Sequence, residues 1–273
     1  MRTAHLHNEA GLFAILELDR NRELAESVGL DLSLPDNLAI LDAINRQLLT
    51  LSQEVTGVIF DPIYTHQLLA DKAATAGALL RLEQDKLLAP EELPALFPNF
   101  SLEEIANNYA LAKLELHYQL GEAKAIEKRQ LLAEIREYSK VLGIDFLLSL
   151  RTAAAENDQL LAIQELRGLA DLLVIQNPAD PLAMATIVSE LDIPCLVTND
   201  AADSYEQFKE KFRMAMENGA RGYCLGAVLW RELGDFRGED QSLDLAGICK
   251  YLATTVRDRI LELNRIAAES LQI

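Results

Sequence analysis

The sequence predicts a single (β/α)8 TIM barrel spanning residues 1–273. Short apolar runs recur along the whole chain, each followed by a segment of helical periodicity, the pattern of βα units around a parallel sheet. The 273 residues match the roughly 250 that one such barrel uses. No Gly/Ser-rich linker or low-complexity tract divides them.

Eight runs qualify as strands: 12–18, 57–61, 77–82, 110–117, 144–150, 171–176, 194–198 and 222–226. The third is the weakest, because the Ala-rich residues before it would equally continue a helix. Helix starts are signalled by Asp36 before 38–51, Asn157 before 159–166, and Asp200 or Asp203 before 205–218, with Asn218-Gly219 closing the last of these. A long helix over 122–142 places Ile126, Leu131, Ile135 and Leu142 on one face, with Glu127, Lys128, Arg129, Glu134 and Arg136 as a solvated face. A final helix is expected over 243–268. The most irregular insertion, 87–101, carries Pro90, Pro94 and Pro98 between the third and fourth strands.

Composition narrows the function classes. Half the residues are hydrophobic and a quarter charged, which excludes a disordered chain and a collagen-like repeat. The 43 Asp+Glu outweigh 25 Lys+Arg, and the resulting charge of −18 repels nucleic-acid backbones and anionic lipid surfaces. No run approaches the roughly 20 apolar residues that span a bilayer, and the N-terminus opens no signal-peptide core, so a cytoplasmic protein is expected. Cys195, Cys224 and Cys249 are odd in number and widely spaced, as reduced thiols and neither a disulfide framework nor a zinc pattern.

Strand alternation then locates the chemistry. Phe13, Ile15, Glu17 and Asp19 share one face of the first strand. That face must point into the barrel, because the helix layer would bury the carboxylates unpaired. On the fourth strand Lys113, Glu115 and His117 share a face, the sharpest polar signal in the chain. A lysine surrounded by Glu17, Asp19 and Glu115 is either a catalytic amine served by carboxylates or the centre of a structural ion-pair network. Two carboxylates beside one lysine hold it protonated, which favours the network.

Softer candidates follow. Asp61, before Pro62, either caps the next turn or faces the mouth. Arg151 either holds an anion or pairs with Glu156 or Asp158. Gln176-Asn177-Pro178 and Thr198-Asn199-Asp200 lie at the catalytic end of the strands but are also ordinary turn residues. Gly219, Gly222 and Gly226 would let backbone approach a phosphate near the eighth strand. His5 and His7 are possible chelators, against which stands the usual disorder of termini. Glu17, Asp19, Glu115 and His117 are suitable metal-ligand types without a recognised spacing, so neither a metal nor a cofactor is expected.

The segments Phe13-Ala14-Ile15-Leu16-Glu17-Leu18-Asp19-Arg20, Gly57-Val58-Ile59-Phe60-Asp61-Pro62, Ala112-Lys113-Leu114, Ala170-Asp171-Leu172-Leu173 with Pro178, and Gly219-Ala220-Arg221-Gly222 through Gly226 to Trp230 resemble the tagatose-bisphosphate and sulfofructose-phosphate aldolases. The resemblance covers most of the chain in the same order. It implies a class I aldolase barrel and a homo-oligomer, in which a sixth-strand lysine forms a Schiff base with a ketose while a second lysine, an Asp and a Glu move protons. Carried over by position, Asp19 and Lys113 match that set, but the Glu falls on Ser149 and the Schiff-base lysine on Val174. The phosphate loop reads Thr198-Asn199-Asp200-Ala201, and a Gly-Arg pair reads Gly226-Ala227.

A valine has no amine, and a missing arginine removes a bidentate phosphate partner. The first expectation is therefore a catalytically degenerate barrel that acts as a binding, regulatory or assembly protein, with a protein partner or a small carbonyl or sugar metabolite. The alternative is a divergent lyase in which Lys113 supplies the amine, Asp19, Glu115 or His117 relay protons, and Arg151, Gln176 and Gly226 contact the substrate.

Overall fold

The computed structural model describes residues 2–84, 92–152, 156–199, 203–238 and 242–271. Eight parallel strands close in sequence order into a barrel: β1 (Phe13–Leu18), β2 (Gly57–Phe60), β3 (Gly77–Arg81), β4 (Leu111–His117), β5 (Phe146–Arg151), β6 (Leu172–Gln176), β7 (Cys195–Thr198) and β8 (Gly222–Leu225), with β8 pairing back onto β1. The third run is a full strand. Its residues Gly77 to Leu80 pair with β2, and Arg81 aligns with Lys113 of β4.

Outside the sheet lie α1 (Asn21–Ser27), α2 (Pro35–Leu49), α3 (Leu102–Asn107), α4 (Ala125–Leu142), α5 (Glu156–Leu166), α6 (Pro181–Ser189), α7 (Tyr205–Glu217), α8 (Ala227–Trp230), α9 (Leu245–Tyr251) and α10 (Arg257–Leu271). A π-helical turn over Leu252–Val256 joins the last two, so the final helix is one rod with a local bulge. Among the described residues no helix is long and apolar enough to cross a membrane.

Side chains alternate between two cores. Phe13, Ile15, Ile59, Leu79, Leu111, Leu147, Leu172, Val174, Leu196 and Cys224 fill the barrel interior, with Leu6 of the N-terminal segment inserted among them. The opposite strand faces, including Leu16, Leu114, Leu148 and Ile175, join the helices in the larger outer core. Each fully buried aliphatic side chain contributes about 2 kcal/mol relative to exposure. Asp145 anchors the plug by accepting a hydrogen bond from the Thr3 amide at 2.6 Å and an ion pair from Arg2.

Helix starts depart from the expected caps for identifiable reasons. Pro35 opens α2, so Asp36 lies inside its first turn and Leu34 is the cap. Ser204 caps α7 in a reciprocal box with Gln207, while Asp203 pairs with Lys211; Asp200 lies outside the described residues. The helix α5 begins at Glu156, which puts Asn157 within it. Lys128 was expected in solvent but is fully buried, because its ammonium satisfies the His117 carbonyl at 2.7 Å and Glu122 at 2.8 Å under the end of β4. Ile126, expected on the packed face, is 61% exposed. Part of the Pro-rich insertion lies outside the described residues; the rest returns to pair Leu96 with Glu83 in an antiparallel bridge.

Gly222 is dictated by closure between β8 and β1. Its φ is 146°, and a Cβ there would stand 1.8 Å from the Phe13 carbonyl oxygen. Gly222→Ala should therefore cost about 3 kcal/mol or more. Gly121→Ala, at a φ of 73° with nothing within 4 Å, should cost about 1 kcal/mol. Urea unfolding midpoints of the two variants check the contrast.

Candidate active site

The polar layer begins where the interior apolar cluster ends. On β1 the inward series Phe13, Ile15 continues with Glu17 and then Asp19, one residue past the strand; on β4 Leu111 is followed by Lys113, Glu115 and His117. The same alternation holds for Leu79, Arg81 and Glu83 on and just beyond β3. These arrangements bring seven ionisable groups to the C-terminal mouth of the barrel, the end at which barrels of this architecture build their sites.

Lys113 is the hub. It is 1% exposed, and its Nζ donates to Asp19 Oδ2 at 2.9 Å and to Glu83 Oε1 at 2.6 Å. Burial alone would lower this amine's pKa, but the charges of Asp19, Glu83 and Glu115 overcome it and raise it above the ordinary lysine range. Burial likewise opposes the Asp19 charge, yet Lys113, Arg81 and Arg20 hold that carboxyl below its usual value. For Glu83 burial prevails over the same cations and the pKa rises. One oxygen of Asp19 and one of Glu83 are buried without a hydrogen-bond donor.

A second knot sits beside the first. Arg20 Nη2 donates to Glu115 at 2.5 Å and to Glu17 at 3.2 Å, and Arg151 Nε approaches Glu115 at 3.5 Å. Against the desolvation that would raise it, Glu115 is held well below the carboxylate range by Arg20, Arg151 and Lys113. Thus Glu17 and Glu115, expected around Lys113, belong to Arg20, while Arg151 pairs with Glu115 and not with Asp158. Asp61 fulfils both of its readings: Oδ1 caps the amides of Ile63 and Tyr64, and Oδ2 pairs with the buried Arg81. Five carboxylates therefore meet four cations in direct ion pairs.

His117, aligned with Arg151 across the β4–β5 pair, is exposed, and burial on its inner side lowers its pKa. It stands outside the Lys113 knot. Each carboxylate among Glu17, Asp19 and Glu115 is engaged by a cation, and among the described residues no group of His, Cys, Asp and Glu has a metal-binding arrangement.

Among the described residues, the strands β6, β7 and β8 themselves carry no charged side chain. Ser149 and Val174 align with Glu115 across β4, β5 and β6, and Val174 belongs to the apolar interior. Gln176 aligns with Thr198; its Oε1 accepts from the Thr152 amide at 3.4 Å. Thr198 Oγ1 and both polar side-chain atoms of Asn177 are buried without hydrogen-bond partners. Gly226 packs on Glu17, where a Cβ would stand 3.1 Å from its carboxylate. Cys195 and Cys224 are buried free thiols and Cys249 is half-buried.

Arg20, Arg81 and Glu83 were missed in the sequence. Arg81 and Glu83 carried a usable signal, the same alternation of polar and apolar residues that marks β4. Arg20 had none, since it follows the strand and reaches Glu115 only through the closure of the barrel.

No family model matches the sequence, and no curated protein matches it. Solved structures do. One is an archaeal fructose-1,6-bisphosphate aldolase with its catalytic Lys covalently bound to the carbinolamine intermediate of the substrate, 18% identical over 93% of this chain and 98% of that one, with a TM-score of 0.65. Cgl0159 from Corynebacterium glutamicum is 13% identical over 97% and 88%, with a TM-score of 0.69. A fructose-bisphosphate aldolase from Slackia heliotrinireducens is 14% identical over 95% and 86%, with a TM-score of 0.64. At such identities the likeness establishes the fold alone: the chain is a (β/α)8 barrel, the architecture of these solved structures, and no narrower grouping follows.

Proposed function

We propose that this chain is an aldolase-like barrel that has lost Schiff-base aldol cleavage and serves as a binding, regulatory or assembly protein. One observation carries the reading: Lys113, the only lysine on any of the eight strands, is sealed as a buried ammonium between Asp19 and Glu83. Attack on a carbonyl carbon requires the unprotonated amine, and lysines used in this way are activated by a lowered pKa. Lys113 is shifted the other way. The similar archaeal aldolase carries its intermediate on a lysine, whereas the position matched to the Schiff-base lysine by resemblance is Val174, packed into the barrel interior. Three free thiols and the acidic surface suit a cytoplasmic setting.

On this reading a ligand at the mouth meets Arg151, Gln176 and Gly226, at the edge of the second knot, and the Lys113 knot is scaffold. The alternative lyase, with Lys113 as amine and Asp19, Glu115 or His117 as proton relays, needs a Lys113 that gives up its proton while two buried carboxylates face it.

Two measurements test the proposal. Borohydride reduction in the presence of ketose phosphates, triose phosphates and small aldehydes, followed by intact mass and peptide mapping, should give no adduct at Lys113; a reduced adduct there would sink the proposal and establish the relocated Schiff base. Lys113→Met should destabilise the fold by about 3–5 kcal/mol, because Asp19 and Glu83 remain buried without their cation. The loss should shrink as pH falls through the carboxylate range and these groups take up protons. In the wild type Asp19, with its lowered pKa, contributes stability that is present above the ordinary aspartate range and is lost as pH falls below it. Urea unfolding of both proteins between about pH 2 and about pH 8 reads both trends.

A further inference from the structure

At the opposite end of the strands the N-terminal segment crosses the barrel floor and leaves a cavity of about 250 Å3, lined by Thr3, His7 and Gly11 on one side and by Phe13, Pro194 and Arg221 on the other. That volume is close to the lower end of the range for small-molecule sites, roughly 300 Å3 and upward. We propose that this cavity is a second binding site, for a small aromatic monocarboxylate that also carries a hydroxyl group. The site shares no residue with the mouth and does not rest on its proposed role.

Arg221 carries the argument. Its backbone is fixed between two strands, the amide donating to the Cys195 carbonyl at 2.8 Å and the carbonyl accepting from the Phe13 amide at 2.9 Å. Its guanidinium is exposed to the cavity and makes no hydrogen bond or ion pair, whereas every other arginine among the described residues has a partner. In a chain with 43 acidic residues this is no shortage of carboxylates. The five N–H donors of a guanidinium fork match a carboxylate in a bidentate pair.

The remaining surfaces specify the rest of the ligand. The His7 ring meets Phe13 edge-on with centroids 5.1 Å apart, so an aromatic face is available beside the cation. His7 Nδ1 lies 2.8 Å from the Asn8 carbonyl oxygen, which can only accept; Nδ1 therefore carries the proton, and in the neutral ring Nε2 is left as an acceptor for a ligand hydroxyl. A single negative charge is favoured over a phosphate dianion because repulsion by the −18 protein grows with ligand charge, while one guanidinium is all that opposes it.

Calorimetric titration of the whole chain with 4-hydroxybenzoate, benzoate, 4-hydroxybenzamide and inorganic phosphate tests the assignment. Saturable binding of 4-hydroxybenzoate is expected, with none for the uncharged amide. Arg221→Gln, which removes an exposed and unpaired side chain and so should melt like the wild type, should weaken binding about tenfold or more. His7→Ala should erase the preference for 4-hydroxybenzoate over benzoate. Hydrogen exchange of residues 3–11 should slow on binding, since they form one wall. Absence of saturable binding, equal binding of the amide, equal or tighter binding of phosphate, or an unchanged affinity in Arg221→Gln would each overturn the proposal, and none of these outcomes bears on Lys113.

Discussion

The buried ammonium of Lys113 between Asp19 and Glu83 is the interaction on which the upper half of the barrel depends. Taking an isolated ion out of water costs several kcal/mol, which is recovered only if partners are close and well aligned. The three groups come from β1, β4 and the extension of β3, so the pairing is possible only when those strands hold their register. Arg81 with Asp61 adds β2, and Arg20 with Glu115 and Arg151 adds β5. Five consecutive strands are thus cross-linked by charge above an apolar floor, and each partner's ionisation is conditional on the others. Such a network specifies one arrangement of strands more sharply than apolar packing alone, because a slip of one residue would turn every charge into the helix layer.

The same stability works against chemistry. A nucleophilic lysine needs an environment that disfavours its ammonium, and here the environment favours it. The charge is also unevenly placed around the mouth: the strands from β1 to β5 carry the ion pairs, whereas β6 to β8 contribute Val174, Gln176, Thr198 and Gly226. On the β6 to β8 side the polar atoms that remain uncommitted, at Thr198 and Asn177, are neutral. They can serve recognition by hydrogen bonding, but they supply neither an amine nor a general base with a shifted pKa.

The fold was legible because strand and helix periodicities alternate along most of the chain, and all eight strands fall within two residues of their expected limits. The polar faces of β1 and β4 were legible for the same reason: alternation assigns Glu17, Asp19, Lys113 and Glu115 to the inside. Which carboxylate meets which cation was not. Glu115 and Lys113 share a face of one strand, yet Glu115 is taken by Arg20, whose position depends on the turn into α1, and the vacancy beside Lys113 is filled by Glu83 from a neighbouring strand. Pairing across a closed barrel is a tertiary property. Lys128 shows the converse, since its helical position reads as solvated and only the nearby end of β4 turns it inward.

At the mouth each cation of the knots is paired, whereas at the floor Arg2 is paired with Asp145 and Arg221 is not, and the contrast bears on why Arg221 stands alone. At the mouth five carboxylates nearly neutralise four cations, so almost all of the net charge of −18 lies elsewhere on the molecule. At the floor the C-terminal ends of the helices add their own negative potential, which favours a cation without any partner. That potential explains why an arginine is tolerated there. It does not explain the cavity beside it, nor the histidine that lines the same space with its Nδ1 held by the Asn8 carbonyl. A lone arginine stabilised by helix ends would be served equally well by a packed floor. The open volume between the N-terminal segment and the strands is the feature that a ligand, and not the helix potential, accounts for.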